Sequence, residues 1–141
     1  MATMSTSITA SGSFSLTDSN GTVIFSYSPS FTTTSNTVGA VISTGEILTD
    51  GTSATTINLG RHNKDRIFTF IKNVDTDYSV AVNPDGDTIA NLKPGECFFS
   101  PVHIDGAGDG SANLDLVATT AAQKVQYLLC DGLDTGIGSD D

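Results

Sequence analysis

The pattern of apolar and polar positions is densest between Arg66 and Val102, and the rest of the chain reads outward from there. Phe68 and Phe70 fall on one side of an extended segment, Ile67, Thr69 and Ile71 on the other. Apolar groups on both sides predict a central strand buried on both faces over Ile67–Lys72. Tyr78–Asn83 alternates, with Val80 and Val82 facing in. Asn83-Pro84-Asp85-Gly86 reads as a turn, with Pro presetting φ and Gly supplying the reversal. Thr88–Leu92 follows, and Lys93-Pro94-Gly95-Glu96 carries the Pro-Gly signature of a type II turn. Cys97–Val102 is the next strand, ended near Pro101, which a central strand would not tolerate.

The flanks extend the same grammar. Val38–Ser43 and Glu46–Leu48 flank Thr44-Gly45, a hairpin candidate; Asp50-Gly51 closes the second strand, and Thr55–Leu59 reads as another. Beyond a glycine-rich loop at 105–113, Leu114, Leu116 and Ala118 share one face, and Val125, Tyr127 and Leu129 point inward from the last strand. Nine or ten short strands at spacings of about 8–12 residues predict an all-β fold, an antiparallel β-sandwich of jelly-roll type.

Residues 1–36 read differently, as a Ser/Thr-rich N-terminal arm broken by one hairpin. Its turn is Asp18-Ser19-Asn20-Gly21, ahead of a strand at Thr22–Tyr27, because Asn-Gly tolerates the positive φ that two-residue hairpin turns require. The segment after Tyr27 shows no core period and is expected to wander in solvent or lie extended along a partner. Phe25, Tyr27 and Phe31 are its candidate contact residues. The body spans 37–133 and an acidic tail 134–141.

Composition supports the class. Ser and Thr supply about a quarter of the 141 residues, while Glu, Lys and Leu are sparse; the strong helix formers are thus under-represented. With 16 acidic against 6 basic residues the net charge is -10, which opposes binding to nucleic acid or to an anionic membrane. The opening MATMSTSITASGS lacks a basic start and an apolar core, so no secretory signal is expected, and no run reaches the ~20 apolar residues of a spanning helix. Cytosolic synthesis follows as the expectation, with Cys97 and Cys130 as buried thiols.

Candidate chemistry is thin. Asn83, Asp85 and Asp87 alternate like the start of an EF-hand loop, but the glycine falls at the fourth position and Pro94 stands where the terminal Glu is needed. Asp105–Gly110 occurs once, whereas calcium β-rolls need stacked repeats. His62, His103, Cys97 and Cys130 show no paired spacing for zinc. No nucleophile elbow is present. The expectation is a non-enzymatic chain with no cofactor, no metal and no catalytic residues. Arg61, Lys64 and Arg66, with Lys72, place four of the six basic residues in twelve positions. They form a candidate basic contact patch on an acidic protein.

Gly60-Arg61, Phe68–Asn73, Ile89–Glu96, Phe98-Phe99, Pro101 and Tyr127–Leu129 together resemble small virion proteins of tailed bacteriophages, the capsid decoration (cement) proteins above all. That resemblance covers residues 58–130 and rests on apolar strands and a Pro-Gly turn. It implies a jelly-roll body, a homo-oligomer (a trimer), and the major capsid protein as partner, with neither nucleic acid nor membrane bound. The location would be the outer surface of the virion capsid, after synthesis in the host cytoplasm. Two rival expectations are a tail, collar or fibre-associated structural protein and a carbohydrate-binding β-sandwich module. The second fares poorly, since Trp is absent and Tyr numbers three.

Overall fold

The computed structural model describes residues 6–35, 42–59, 66–104, 113–118 and 120–131. Residues 38–41 of the predicted strand Val38–Ser43, the glycine-rich loop over 105–112, the acidic tail and the basic residues Arg61 and Lys64 lie outside them. The fold is all-β: two antiparallel four-stranded sheets stacked as a sandwich, with a β-arm at the N-terminus.

The body runs β5 (Ile42–Leu48), β6 (Thr55–Ile57), β7 (Arg66–Asn73), β8 (Val80–Pro84), β9 (Ala90–Leu92), β10 (Cys97–His103), β11 (Leu114–Val117) and β12 (Lys124–Asp131). One sheet has the order β10-β7-β12-β5, the other β6-β11-β8-β9. Numbering the body strands one to eight in chain order turns these into 6-3-8-1 and 2-7-4-5. First pairs with last, second with seventh, third with sixth and fourth with fifth. This is a long hairpin rolled over two sheets, the jelly-roll topology.

The core between the sheets follows from the alternation. Ile67, Ile71, Val125 and Leu129 come from one sheet, Val80, Val82, Leu92, Leu114 and Leu116 from the other, all essentially closed to solvent. Each such side chain contributes roughly 1.5–3 kcal/mol on burial. β7 is the predicted central strand: its second face carries Phe68, also buried. β10 runs through Pro101 to His103 instead of stopping there, because it is an edge strand with a single neighbour.

Polar side chains stitch the two sheets at one end. Asn73 at the end of β7 is fully buried; its side-chain amide donates to the carbonyls of Tyr78 (2.8 Å) and Leu92 (3.0 Å). Its Oδ1 accepts the Asp75 N–H at 3.2 Å. Its main chain bonds Gly95 and Glu96 in the turn after β9. Beside it, buried Gln123 accepts the Tyr78 N–H through Oε1 (3.2 Å) and donates from Nε2 to the Ala122 carbonyl (2.7 Å).

Three turns decide details. Lys93–Glu96 is the predicted type II turn, with Gly95 at φ 82° and the Glu96 N–H on the Lys93 carbonyl at 3.0 Å. The turn after β8 is centred one residue later than predicted. Pro84 belongs to the strand, and Asp85 (φ 51°) and Gly86 (φ 92°) are both left-handed. The Asp87 N–H closes that turn on the Pro84 carbonyl at 3.1 Å. Both central residues at positive φ is the type I′ geometry that suits hairpin twist. Thr44-Gly45 is not a turn at all: β5 passes straight through it. The ring of Tyr127 on β12 lies over Gly45, and a Cβ there would sit 3.0 Å from its hydroxyl oxygen. The glycine makes room for a neighbour and does not reverse the chain.

The arm consists of β1 (Thr6–Ser11), β2 (Phe14–Thr17), β3 (Val23–Tyr27) and β4 (Ser30–Ser35). Counting these, the described residues form twelve strands, more than the nine or ten expected. The turn forms at the predicted Asp18–Gly21, but not as a two-residue Asn-Gly turn: Gly21 (φ 85°) takes the positive φ and Asn20 does not, and the Asp18 carboxylate accepts the N–H groups of Asn20 and Thr22, each at 2.9 Å. The segment after Tyr27 is no wandering leader, however. β1 pairs with β4 and β2 with β3, in one register from Thr6↔Ser35 to Leu16↔Phe25. The Gly12 N–H bonds the Pro29 carbonyl across the join at 3.1 Å. The arm is one long hairpin, bulged only near its tip.

Candidate docking site on the arm

Directly opposed residues of an antiparallel pair share a face. The register therefore puts Ala10, Phe31, Gly12, Pro29, Phe14, Tyr27, Leu16 and Phe25 on one side of the arm. The other side carries Ser11, Ser13, Ser15, Ser26, Ser28 and Ser30, with exposed Ile24 as its apolar exception near the tip. The ribbon has an apolar underside and a hydroxyl top.

That underside lies on the outer face of the β10-β7-β12-β5 sheet. Phe31 meets Phe68 with ring centroids 5.4 Å apart, and Ala10, Phe70, Phe99, Leu128 and Cys130 complete this second apolar cluster. Farther along, Phe14 stacks on Phe99 of the edge strand β10, centroids 5.2 Å apart and planes 3° from parallel. The contacts thus step across the sheet from β12 and β7 to its β10 edge. Between arm and sheet runs an open apolar groove of about 650 Å³, lined by Ala10, Phe14, Phe31, Phe68, Phe70, Phe99 and Leu128 with Cys97 at its wall.

Beyond Phe14 the apolar stripe continues without cover. Phe31 is 8% exposed, Phe14 44%, Tyr27 55%, Phe25 56% and Leu16 57%, so exposure climbs toward the tip. β2 and β3 contact chiefly each other. A two-stranded ribbon is at best marginally stable by itself in water, and an uncovered apolar stripe on it marks an interaction surface.

Comparison with family models, with curated proteins and with solved structures finds no match for this chain. Its site is therefore read from its own geometry.

Phe25 and Tyr27 lie on the uncovered stripe. Phe31 does not: the register sets it over Phe68, where it anchors the arm to its own body. Arg66 contributes backbone to β7 and Lys72 lies half-buried near the end of the same strand, whereas Arg61 and Lys64 lie outside the described residues. Phe14, an apolar residue of the same polar segment, and Leu16, which sequence reasoning passes over, belong to the same stripe. The signal for them was the period-2 alternation with Ser and Thr from Ser7 to Thr17, which compositional bias conceals.

Cys97 corrects the expectation of two buried thiols. It is exposed on β10 beside the groove, whereas Cys130 is buried under the arm. Side chains of an edge strand point alternately to either face, and the arm shelters β12 but leaves this end of β10 open. A maleimide reagent should label Cys97 in the native protein within minutes and Cys130 only after unfolding. Equal labelling of both thiols under native conditions would contradict the docked arm.

Among the described residues no three His, Cys, Asp or Glu side chains converge to hold a metal ion. Polar turn residues are engaged locally: Asn83 Oδ1 accepts the Thr88 hydroxyl at 2.8 Å, and the Glu96 carboxylate accepts the Lys93 N–H at 2.9 Å. Asp50, at the start of the loop after β5, accepts the Thr52 N–H and hydroxyl, each at 2.8 Å. Those bonds, the backbone one foremost, hold its carboxyl below the usual value.

Proposed function

We propose that this protein is a non-enzymatic structural component of a bacteriophage particle, a capsid decoration protein that binds the outer head lattice and stabilises the shell. The observation that carries the reading is the arm: a jelly-roll body projects a ribbon whose apolar underside runs past its own sheet into solvent. Such a surface lowers its free energy only in an assembly. The jelly roll supports the reading as analogy, since viral capsid domains use it, but lectins and cupins do too. The resemblance of residues 58–130 to small virion proteins adds the phage context. An acidic chain decorating a shell keeps the particle soluble through its outward loops.

Deleting residues 1–36 tests the arm's part in this. The eight-stranded body keeps its inter-sheet core and should still melt cooperatively, while attachment to capsids weakens at least about tenfold, a loss of roughly 1.4 kcal/mol. A truncated body that fails to fold would make the arm part of the core. Undiminished attachment would remove the arm from the binding role.

A further inference from the structure

The outer N–H and C=O groups of an edge strand lack a ladder partner, and natural folds blunt such edges with short strands, proline, bulges or a covering segment. Three of the four edges of the two body sheets are blunted. β6 and β9 are three residues each, and β10 carries Pro101 and the arm's Phe14 stacked on Phe99. β5 is not blunted. It runs seven residues without proline or a register shift, and among the described residues it pairs with β12 alone. Ile42, Thr44, Gly45, Glu46 and Leu48 on it are exposed.

The ladder fixes which groups face outward. Beyond Leu48↔Lys124 the next residues across are Thr49 and Gln123, and the Thr49 N–H donates to the Gln123 carbonyl at 2.9 Å. Hydrogen-bonded pairs alternate along an antiparallel ladder. The odd-numbered residues of β5 therefore bond β12, while Ile42, Thr44, Glu46 and Leu48 turn their backbone groups to the open edge. We propose that β5 of a second copy closes this edge, antiparallel about a two-fold axis at Gly45, so that two β10-β7-β12-β5 sheets become one continuous sheet.

The strand itself argues for a second copy, because it is its own antiparallel complement. Centred on Gly45, Ile42 stands opposite the second copy's Leu48, and Glu46 opposite uncharged Thr44. Ile42 is 52% exposed and Leu48 63%; this register covers each with the other at both ends of the joint. It also uses every outward backbone group, about eight hydrogen bonds at two for each narrow pair. Moving the register by two residues sets Glu46 against Glu46 in one direction, like charges directly opposed, and Ile42 against Glu46 in the other. An odd shift opposes groups already bonded to β12. Chains of net charge -10 repel one another, but Glu46 is the one charge on β5, and Lys124 at 3.7 Å offsets it. A two-fold contact is isologous and closes as a dimer, where the resemblance to virion proteins implies a trimer. No residue of the arm takes part.

The inference stands apart from the capsid reading, because its test contains no capsid. The full chain is measured by analytical ultracentrifugation beside three variants, with circular dichroism and melting to show that each is folded. Thr44→Pro removes an outward N–H that β12 does not use, so it blocks the edge and leaves the ladder to β12 whole. I42K/L48K sets lysine against lysine at both ends of the joint, and I42K/L48E sets lysine against glutamate. The expected result is a dimer for the parent chain, a monomer for Thr44→Pro and for I42K/L48K, and a dimer again for I42K/L48E. A parent chain that is monomeric or trimeric, a dimer that survives Thr44→Pro or I42K/L48K, or a folded I42K/L48E that stays monomeric would overturn the proposal.

Discussion

Replacing Asn73 by Ala is expected to cost on the order of 3 kcal/mol of stability, a large share of the 5–15 kcal/mol by which domains are stable. The side chain is fully buried and makes three hydrogen bonds, one of them to the Leu92 carbonyl of the opposite sheet and one to the Tyr78 carbonyl in the connection ahead of β8. Truncation strands the Leu92 carbonyl in a buried space and removes the partner of the half-buried Tyr78 carbonyl and Asp75 N–H. Each unsatisfied buried group costs about 1–3 kcal/mol, and the contributions are not additive. Asn73→Asp should be no rescue at neutral pH, because it keeps the shape but removes both donors and buries a charge. Denaturant unfolding of the two variants against the parent chain measures this directly. A loss below about 1 kcal/mol in Asn73→Ala would mean that the stitch between sheets is replaceable, against the 1–3 kcal/mol expected for one stranded group.

Truncating Phe31 should have an effect as large but confined to the arm. A buried Phe→Ala change costs about 3–5 kcal/mol where the residue belongs to a core. Phe31 sits in the smaller cluster under the arm, separate from the inter-sheet core, so its loss should open the arm locally and leave the body's unfolding nearly unmoved. Hydrogen exchange in β1 and β4 should then rise by more than about 100-fold, the equivalent of roughly 3 kcal/mol. Native-state proteolysis should move into residues 1–36. A matching fall in the stability of β7 and β12 would show instead that arm and body unfold as one unit.

These two residues also mark the limits of what the sequence discloses. β7, β8, β11 and β12 were legible because burial on one or both faces imprints directly on apolar spacing: Ile67 with Phe68, Val80 with Val82, Leu114 with Leu116. The jelly-roll class followed from strand count and spacing. Asn73 was not legible, since what makes it structural is a carbonyl 19 residues away, and Gln123 reaches a partner 45 residues away. Gly45 looked like a turn because Thr-Gly is a local turn signal; the tyrosine that requires a glycine there comes from β12. The candidate site was half visible. Phe25 and Tyr27 were picked out as aromatic residues in a polar segment, and the structure leaves them uncovered. Phe31 shared that description but is buried, because alternation and register, not composition, decide which aromatic residues meet the body.

The apolar residues of the arm were hidden in the same way. Serine and threonine occupy every second position, so average hydropathy is low although the underside is continuous. A charge-poor, hydroxyl-topped ribbon suits a role in which one face must meet protein and the other water.

The most direct test of the central claim is to mix the purified protein with expanded phage capsids lacking it, sediment the particles and count the bound copies. The account predicts saturation at a multiple of the lattice sites together with a raised melting temperature of the shell. Absence of binding, or a handful of copies per particle without thermal gain, would contradict it.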